Sequence, residues 1–136
     1  FEEKKLTLKS FKLLYKNTKI NKLPFILLIE NKEVIGLSFV NKFREKSGYR
    51  YSYEHSIYID KKFIKKGYGS VIFKNLIKHC KKNRKIKNLI AVIGGSDNIQ
   101  SIKFHEKFGF KYIGTIIKAG FKKNKWIDSV YMQKRL

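Results

Sequence analysis

At 136 residues and 43% hydrophobic content the chain is long enough to bury one core and too apolar for a disordered one. Its longest apolar run, Phe25-Ile26-Leu27-Leu28-Ile29, falls far short of the roughly 20 residues of a membrane-spanning helix, and the lone Cys80 excludes an intrachain disulfide, so a reducing cytoplasm is the simplest compartment. The net charge of +22 is nearly all lysine, spread along the whole chain beside abundant Asn, Ile, Phe and Tyr, which reads as codon bias rather than as a nucleic-acid surface.

In chain order, Leu6, Phe11, Leu14 and Tyr15 recur at helical spacing behind Thr7 as N-cap, predicting a helix over about 7–16. Phe25–Glu30 and Val34–Phe43 follow as strands of a hairpin turning at Asn31-Lys32. Tyr51–Asp60 alternates into a third strand with Glu54, Ser56 and Tyr58 on one face and Tyr53, His55, Ile57 and Ile59 on the other. The glycine turn Lys65-Lys66-Gly67-Tyr68-Gly69-Ser70 opens a helix over about 68–82, whose inner face is Gly69, Ile72, Phe73, Leu76, Ile77 and Cys80. On that face Cys80 reads as a small buried hydrophobe. The run Leu89-Ile90-Ala91-Val92-Ile93 suits a strand buried on both faces. A short helix starts near Ser96 or Asp97 and ends before Gly109, and strands over about 111–118 and 126–133 complete the order around the polar turn Lys122-Lys123-Asn124.

Two of these features carry chemistry. Unsatisfied amides at a glycine turn feeding a helix N-terminus form an anion site, so a phosphate-bearing ligand is the natural guest of Lys65–Ser70. Glu54 lies one short strand and one turn away, placing a base near the reactive end of such a ligand. The combination reads as an acyl transferase using coenzyme A. The histidines His55, His79 and His105 offer no zinc-ligand spacing, and no metal is assigned.

The same residues resemble the Gcn5-related N-acetyltransferase superfamily, and within it the phosphinothricin and methionine-sulfone acetyltransferases. The resemblance runs through Glu54, Ile57-Tyr58-Ile59, Gly67-Tyr68-Gly69-Ser70, Ala91-Val92-Ile93-Gly94, Ser96-Asp97-Asn98, Ser101-Ile102, His105-Glu106-Lys107, Gly109-Phe110, Gly114-Thr115, Gly120-Phe121-Lys122, Trp126-Ile127-Asp128 and Met132-Gln133. It implies an α/β (α+β) fold with a mixed, mainly antiparallel central sheet flanked by helices, one acetyltransferase domain over residues 1–136. The activity implied is transfer of acetyl from acetyl-CoA to the amino group of a small L-amino acid or analogue, by a homodimer. Glu54 would be the base. His105, seven positions after Asn98 where the wider superfamily has Tyr, would protonate the leaving thiolate or relay protons. Tyr58 would add a hydroxyl, and amides around Ile57 would hold the oxyanion if a bulge turned them from the ladder. Ile57, Tyr58, Ile59, the turn Lys65–Ser70 and Asn98 would bind the cofactor, with helix capping as the ordinary job of Asn98. Arg44, Lys46, Tyr49, Glu54, His55 and Ser56 would face the acceptor, and Phe121 and Trp126 would be core or pocket walls.

Three departures qualify that pattern. Ile64 stands where family members carry Gln or Arg, removing a side-chain donor to the pyrophosphate that Lys65 and Lys66 replace as point charges. Lys46, where an Arg could clasp a carboxylate bidentately, also offers only a point charge. The chain begins at Phe1, at a point like the segment after the family's first strand and first helix, so the domain is expected to be N-terminally truncated, lacking a strand and helix of roughly 20–30 residues. Competing readings are a protein N-terminal acetyltransferase, a coenzyme A-binding fold without turnover, and a basic nucleic-acid-binding module.

Overall fold

The computed structural model describes residues 8–136, so Leu6 and the cap at Thr7 lie outside the described residues. Helix α1 (Leu8–Ile20) is followed by β1 (Phe25–Glu30), β2 (Glu33–Lys42), β3 (Ser52–Ile59), α2 (Tyr68–Lys82), β4 (Asn88–Gly94), α3 (Ile99–Lys107), β5 (Lys111–Lys122) and β6 (Lys125–Arg135). The strands form one six-stranded sheet in the order β1-β2-β3-β4-β6-β5, antiparallel except where β3 meets β4. This is the mixed, mostly antiparallel sheet flanked by helices that the family resemblance implies.

Both hairpins close through two-residue turns with positive φ at each position, Asn31 and Lys32 in one and Lys123 and Asn124 in the other. That geometry matches the right-handed twist of the flanking strands. It carries the second hairpin further than its polarity suggests, since β5 runs to Lys122 rather than stopping at Lys118. β5 is irregular between Ile116 and Gly120, where the Lys118 amide turns aside to donate to Asp128 Oδ1 at 2.9 Å, and this interrupts the alternation that marks a strand.

Helix α2 lies where its apolar face predicts, with Ile72 buried and Phe73, Leu76, Ile77 and Cys80 packed in one core with Val40, Tyr53, Leu89, Ala91, Val130 and Met132. Burial pushes the Cys80 thiol up to about 12, so it is an inert packing group. Phe73 anchors an aromatic cluster, with Phe104, Phe108 and Phe110 at centroid distances of 5.0–5.7 Å. Helix α1 covers the opposite face, where Phe11 and Tyr15 stand edge-on to Phe25, which stacks on Phe39.

Strand β4 departs from its expected burial. Leu89, Ala91 and Ile93 are buried, but Ile90 and Val92 on the other face are only half-buried. That second face borders a cleft. Phe121 and Trp126 are not core either: they are 50% and 64% exposed and pack on each other at 5.0 Å near the tip of the β5–β6 hairpin. No helix of the described residues is long and apolar enough to cross a membrane.

Candidate active site

Strands β3 and β4 pair only from Ser52 to Glu54 and from Asn88 to Ile90, although β3 continues to Ile59 and β4 to Gly94. Beyond Glu54 the strands part and leave a wedge of about 570 Å³ lined by Glu54–Tyr58, Val92–Gly94, Asn98, Gln100, Ser101, Phe104 and His105. The parting also decides the backbone. Ser52 O accepts from Phe43 N and Asp60 N donates to Ile35 O, while Tyr51 O accepts from Asn88 N, so even-numbered residues of β3 bond toward β2 and odd-numbered ones toward β4. The register with β2 is unbroken from Tyr53 to Ile59. No bulge at Ile57 is present, and none is needed: its N–H points into the wedge because its β4 partner has left.

The glycine turn Lys65–Ser70 lies outside the wedge lining and approaches it at Phe104. Lys65 and Gly67 take φ of 64° and 83°, and Gly67 is the N-cap of α2 with no side chain capping the first turn and no acidic residue within it. The left-handed φ is why position 67 is glycine. A Cβ on Gly67 would meet nothing within 4 Å and one on Gly69 only the Phe104 ring at 4.0 Å, so the space over these amides is open for a phosphate. Tyr68 turns away, donating its hydroxyl to Glu30 Oε2 at 2.7 Å, and Lys66 Nζ lies 5.8 Å over the Phe63 ring. Asn98 caps α3, its side chain accepting from Ser101 N at 3.3 Å. The helix therefore starts at Ile99, later than Ser96, whose hydroxyl is committed to Asp128 Oδ2 at 2.7 Å.

A second cleft of about 510 Å³ lies between α1 and the sheet, lined by Ser10, Leu13, Leu14 and Asn17 of α1, Phe39, Asn41 and Lys42 of β2, and Glu54 and Ser56. Glu54 and Ser56 border both clefts. Desolvation raises the Glu54 carboxyl above its ordinary range and the Arg44 charge pulls it partly back, so Arg44 acts on the site through space while its guanidinium lies 4.6 Å over the Phe43 ring. Tyr49 stands edge-on to the same ring, and Lys46 is exposed at the start of the 3-10 turn Ser47–Tyr49. Neither lines the wedge or the α1 cleft. Tyr58 is 38% exposed, borders the wedge and stacks on Phe39.

His55 lies on the face away from Glu54, as strand alternation requires, and it is buried. Its Nε2 is 2.9 Å from His105 Nε2, and His105 Nδ1 is 2.7 Å from Ser101 O. A carbonyl only accepts, so His105 carries its proton on Nδ1 and its Nε2 must accept from His55 Nε2–H. Burial lowers both imidazoles, His55 to about 3 with His105 adding to the effect, while the Ser101 carbonyl opposes the fall for His105. The neutral pair has neither N–H free for the wedge. Spacing along the chain gave no sign of this contact across 50 residues, nor of the α1 cleft with Asn41, since both depend on how α3 and α1 dock on the sheet. Among the described residues no group of three or more His, Cys, Asp or Glu is placed to hold a metal ion.

Residues 1–131 match the acetyltransferase (GNAT) domain family. Over 114 residues the chain is 33% identical to a phosphinothricin N-acetyltransferase of Alcaligenes faecalis, covering 84% of this chain and 57% of that protein. It is 31% identical to an L-methionine sulfoximine/L-methionine sulfone acetyltransferase of Salmonella typhimurium, covering 83% and 65%. The chain thus spans about 60% of the length of these curated relatives. Among solved structures, a ribosomal-protein-alanine N-acetyltransferase from Brucella melitensis superposes with a TM-score of 0.93 at 30% identity, covering 99% of this chain and 82% of that one. A phosphinothricin acetyltransferase from Sinorhizobium meliloti in complex with acetyl-CoA gives a TM-score of 0.88 at 31% identity, covering 96% and 70%.

Proposed function

We propose that this chain, which belongs to the acetyltransferase (GNAT) domain family, moves an acetyl group from acetyl-CoA to the α-amino group of a small L-amino acid or analogue of the phosphinothricin or methionine-sulfone type. The observation that carries the reading is the position of Glu54 where two clefts meet, the β3–β4 wedge and the α1 cleft. One cleft offers a thioester arm its binding site and the other offers an amine its own. The amides of Lys65, Lys66, Gly67, Tyr68, Gly69 and Ser70 would take the pyrophosphate, and Ile57, Tyr58, Ile59 and Asn98 the arm that follows.

An α-ammonium must lose a proton before its nitrogen can attack. Glu54, raised by desolvation, is a stronger base than an exposed carboxylate and takes that proton directly or through water. As the nitrogen bonds to the acetyl carbon and the carbon–sulfur bond breaks, the Ile57 N–H faces the oxygen on which negative charge develops. The departing sulfur takes its proton from Tyr58 or from water, because the one N–H of neutral His105 is spent on Ser101 O. Arg44, whose charge reaches Glu54, would attract the acceptor carboxylate from outside the cleft that Lys42 lines, with Lys46 and Tyr49 further out, and Ser56 lines the acceptor cleft beside Glu54.

The buried cysteine fits a cytoplasmic enzyme, and the exposed Ile113, Ile116, Ile117, Phe121 and Trp126 of the last hairpin fit a homodimer. Residues 1–136 act in this reading as one catalytic unit. A peptide N-terminus presents the same α-amine, but α1 roofs the acceptor cleft, which favours a small acceptor. Thiol release with phosphinothricin, methionine sulfone and short peptides tests the proposal. Turnover of an amino-acid analogue that falls by the 10²–10⁴-fold typical of a lost general base in Glu54→Gln, with unchanged acetyl-CoA affinity, supports it. Acetyl-CoA binding without turnover of any amine overturns it in favour of a non-catalytic fold.

A further inference from the structure

We propose that His55 is a positioning residue: the hydrogen bond it donates to His105 ties α3 to β3 just beyond the point where the β3–β4 ladder ends, and so sets the width of the wedge between Ile57 and Asn98. The proposal rests on the acetyltransferase reading for what the wedge holds. It rests on geometry alone for the tie.

Past Glu54 the backbone ladder gives β3 no bond to β4, and α3 follows β4 through the turn at Gly94–Asn98. The two walls of the wedge are therefore free to separate unless side chains join them. His55 and His105 do so at 2.9 Å, and His105 is itself pinned to its own helix through Ser101 O at 2.7 Å. The chain of donors runs in one direction, His55 Nε2–H to His105 Nε2 and His105 Nδ1–H to the carbonyl, so each ring has a single tautomer and neither can flip without breaking a bond. Around the pair stand Phe73 of α2 at 4.7 Å from the His55 ring, Phe110 at 5.3 Å and Phe104 of α3 at 5.5 Å from the His105 ring. None carries charge, and Glu54 is on the opposite face of β3. Both rings line the wedge yet are only 8% and 7% exposed, so a hydrogen bond lost between them is poorly replaced by water.

His55 Nδ1 is buried without a partner. A histidine kept with one nitrogen unsatisfied is there for the other nitrogen. Phenylalanine would fit the ring cluster and leave nothing orphaned on β3, but it would strand the His105 lone pair and release α3. Glutamine places its amide N–H close to where the imidazole Nε2–H stands, so it separates the hydrogen bond from the ring.

Long-range ¹H–¹⁵N correlation spectra of the wild-type imidazoles at neutral pH should show His55 protonated on Nε2 and His105 on Nδ1. The reverse tautomers overturn the proposal whatever any variant does. In His55→Phe, amide exchange in α3 should quicken about 10-fold and acetyl-CoA should bind about 10-fold more weakly, the consequence of leaving one buried acceptor unsatisfied. His55→Gln should restore both to within about 3-fold. Wild-type exchange and affinity in His55→Phe, or a His55→Gln as impaired as His55→Phe, refute the tie. If the wild type binds no acetyl-CoA, the acetyltransferase reading falls, while tautomers and α3 exchange still decide whether His55 holds the helix.

Discussion

The buried histidine pair predicts a loss of stability on mild acidification, well above the range where carboxylates protonate. His55 is lowered from an ordinary 6.5 to about 3, chiefly by desolvation. A histidine so depressed contributes stability that is fully present above 6.5 and is lost as pH falls toward its folded value, because the unfolded chain takes up a proton the folded one refuses. At about 1.36 kcal/mol per pKa unit, the 1.5 units between 6.5 and pH 5 amount to about 2 kcal/mol. For a chain of this size that lowers Tm by roughly 5–8 °C between pH 7 and pH 5. His105 is shifted in the same direction and adds to the fall. Glu54 is shifted upward, so its burial penalty is relieved as it protonates and works against the trend. Melting should therefore be followed by circular dichroism in wild type, Glu54→Gln and His55→Gln. The drop should be largest in Glu54→Gln, where the opposing carboxylate is gone, and smallest in His55→Gln. A Glu54→Gln protein with the same Tm at pH 7 and pH 5 would refute the assignment of a neutral buried pair.

Gly67→Val should cut acetyl-CoA affinity at least 10-fold in calorimetric titration, since a β-branched residue resists the φ of 83° that aims the α2 amides outward; equal affinity would remove the turn from the phosphate site. Arg44→Met should move the acidic limb of kcat/KM to higher pH, because the guanidinium now holds Glu54 down, and an unmoved limb would detach Arg44 from the base. Phe73→Ala should cost about 3–5 kcal/mol in denaturant unfolding, as it empties the centre of the aromatic cluster. Binding to duplex or single-stranded nucleic acid, read by fluorescence anisotropy against salt, should be weak and vanish by physiological ionic strength, and tight binding there would restore the nucleic-acid reading.

The parts of this molecule legible in its sequence are those where local physics and tertiary packing agree. Helix α2 shows this best: the glycine turn, the apolar stripe and the closing lysines all specify Tyr68–Lys82, and the helix occupies those residues. The carboxylate strand was equally plain, since alternation put Glu54 and His55 on opposite faces before any partner was known. What alternation cannot express is which strand pair will separate. The apolar run of β4 looks like a doubly buried strand although Ile90 and Val92 are only half-buried and Val92 lines the wedge, and a cleft-lining face has the same composition as a core-lining one. A bulge at Ile57 would free its amide locally, but the divergence of β3 from β4 already does so, and alternation along one strand does not show that divergence.

His105 carries the same lesson into the chemistry. Its position in the motif suggested a proton donor, and an isolated imidazole on a cleft wall would suit that work. The contact that redirects it comes from His55, 50 residues earlier, and fixes where its protons lie. A histidine's chemistry is set by what its two nitrogens already touch, so the acid–base assignment belongs to the folded pair rather than to either residue's place in the chain. With His105 committed to Ser101 and His55, Glu54 is left as the carboxylate that meets both clefts, and the acid limb of catalysis should report Glu54 alone.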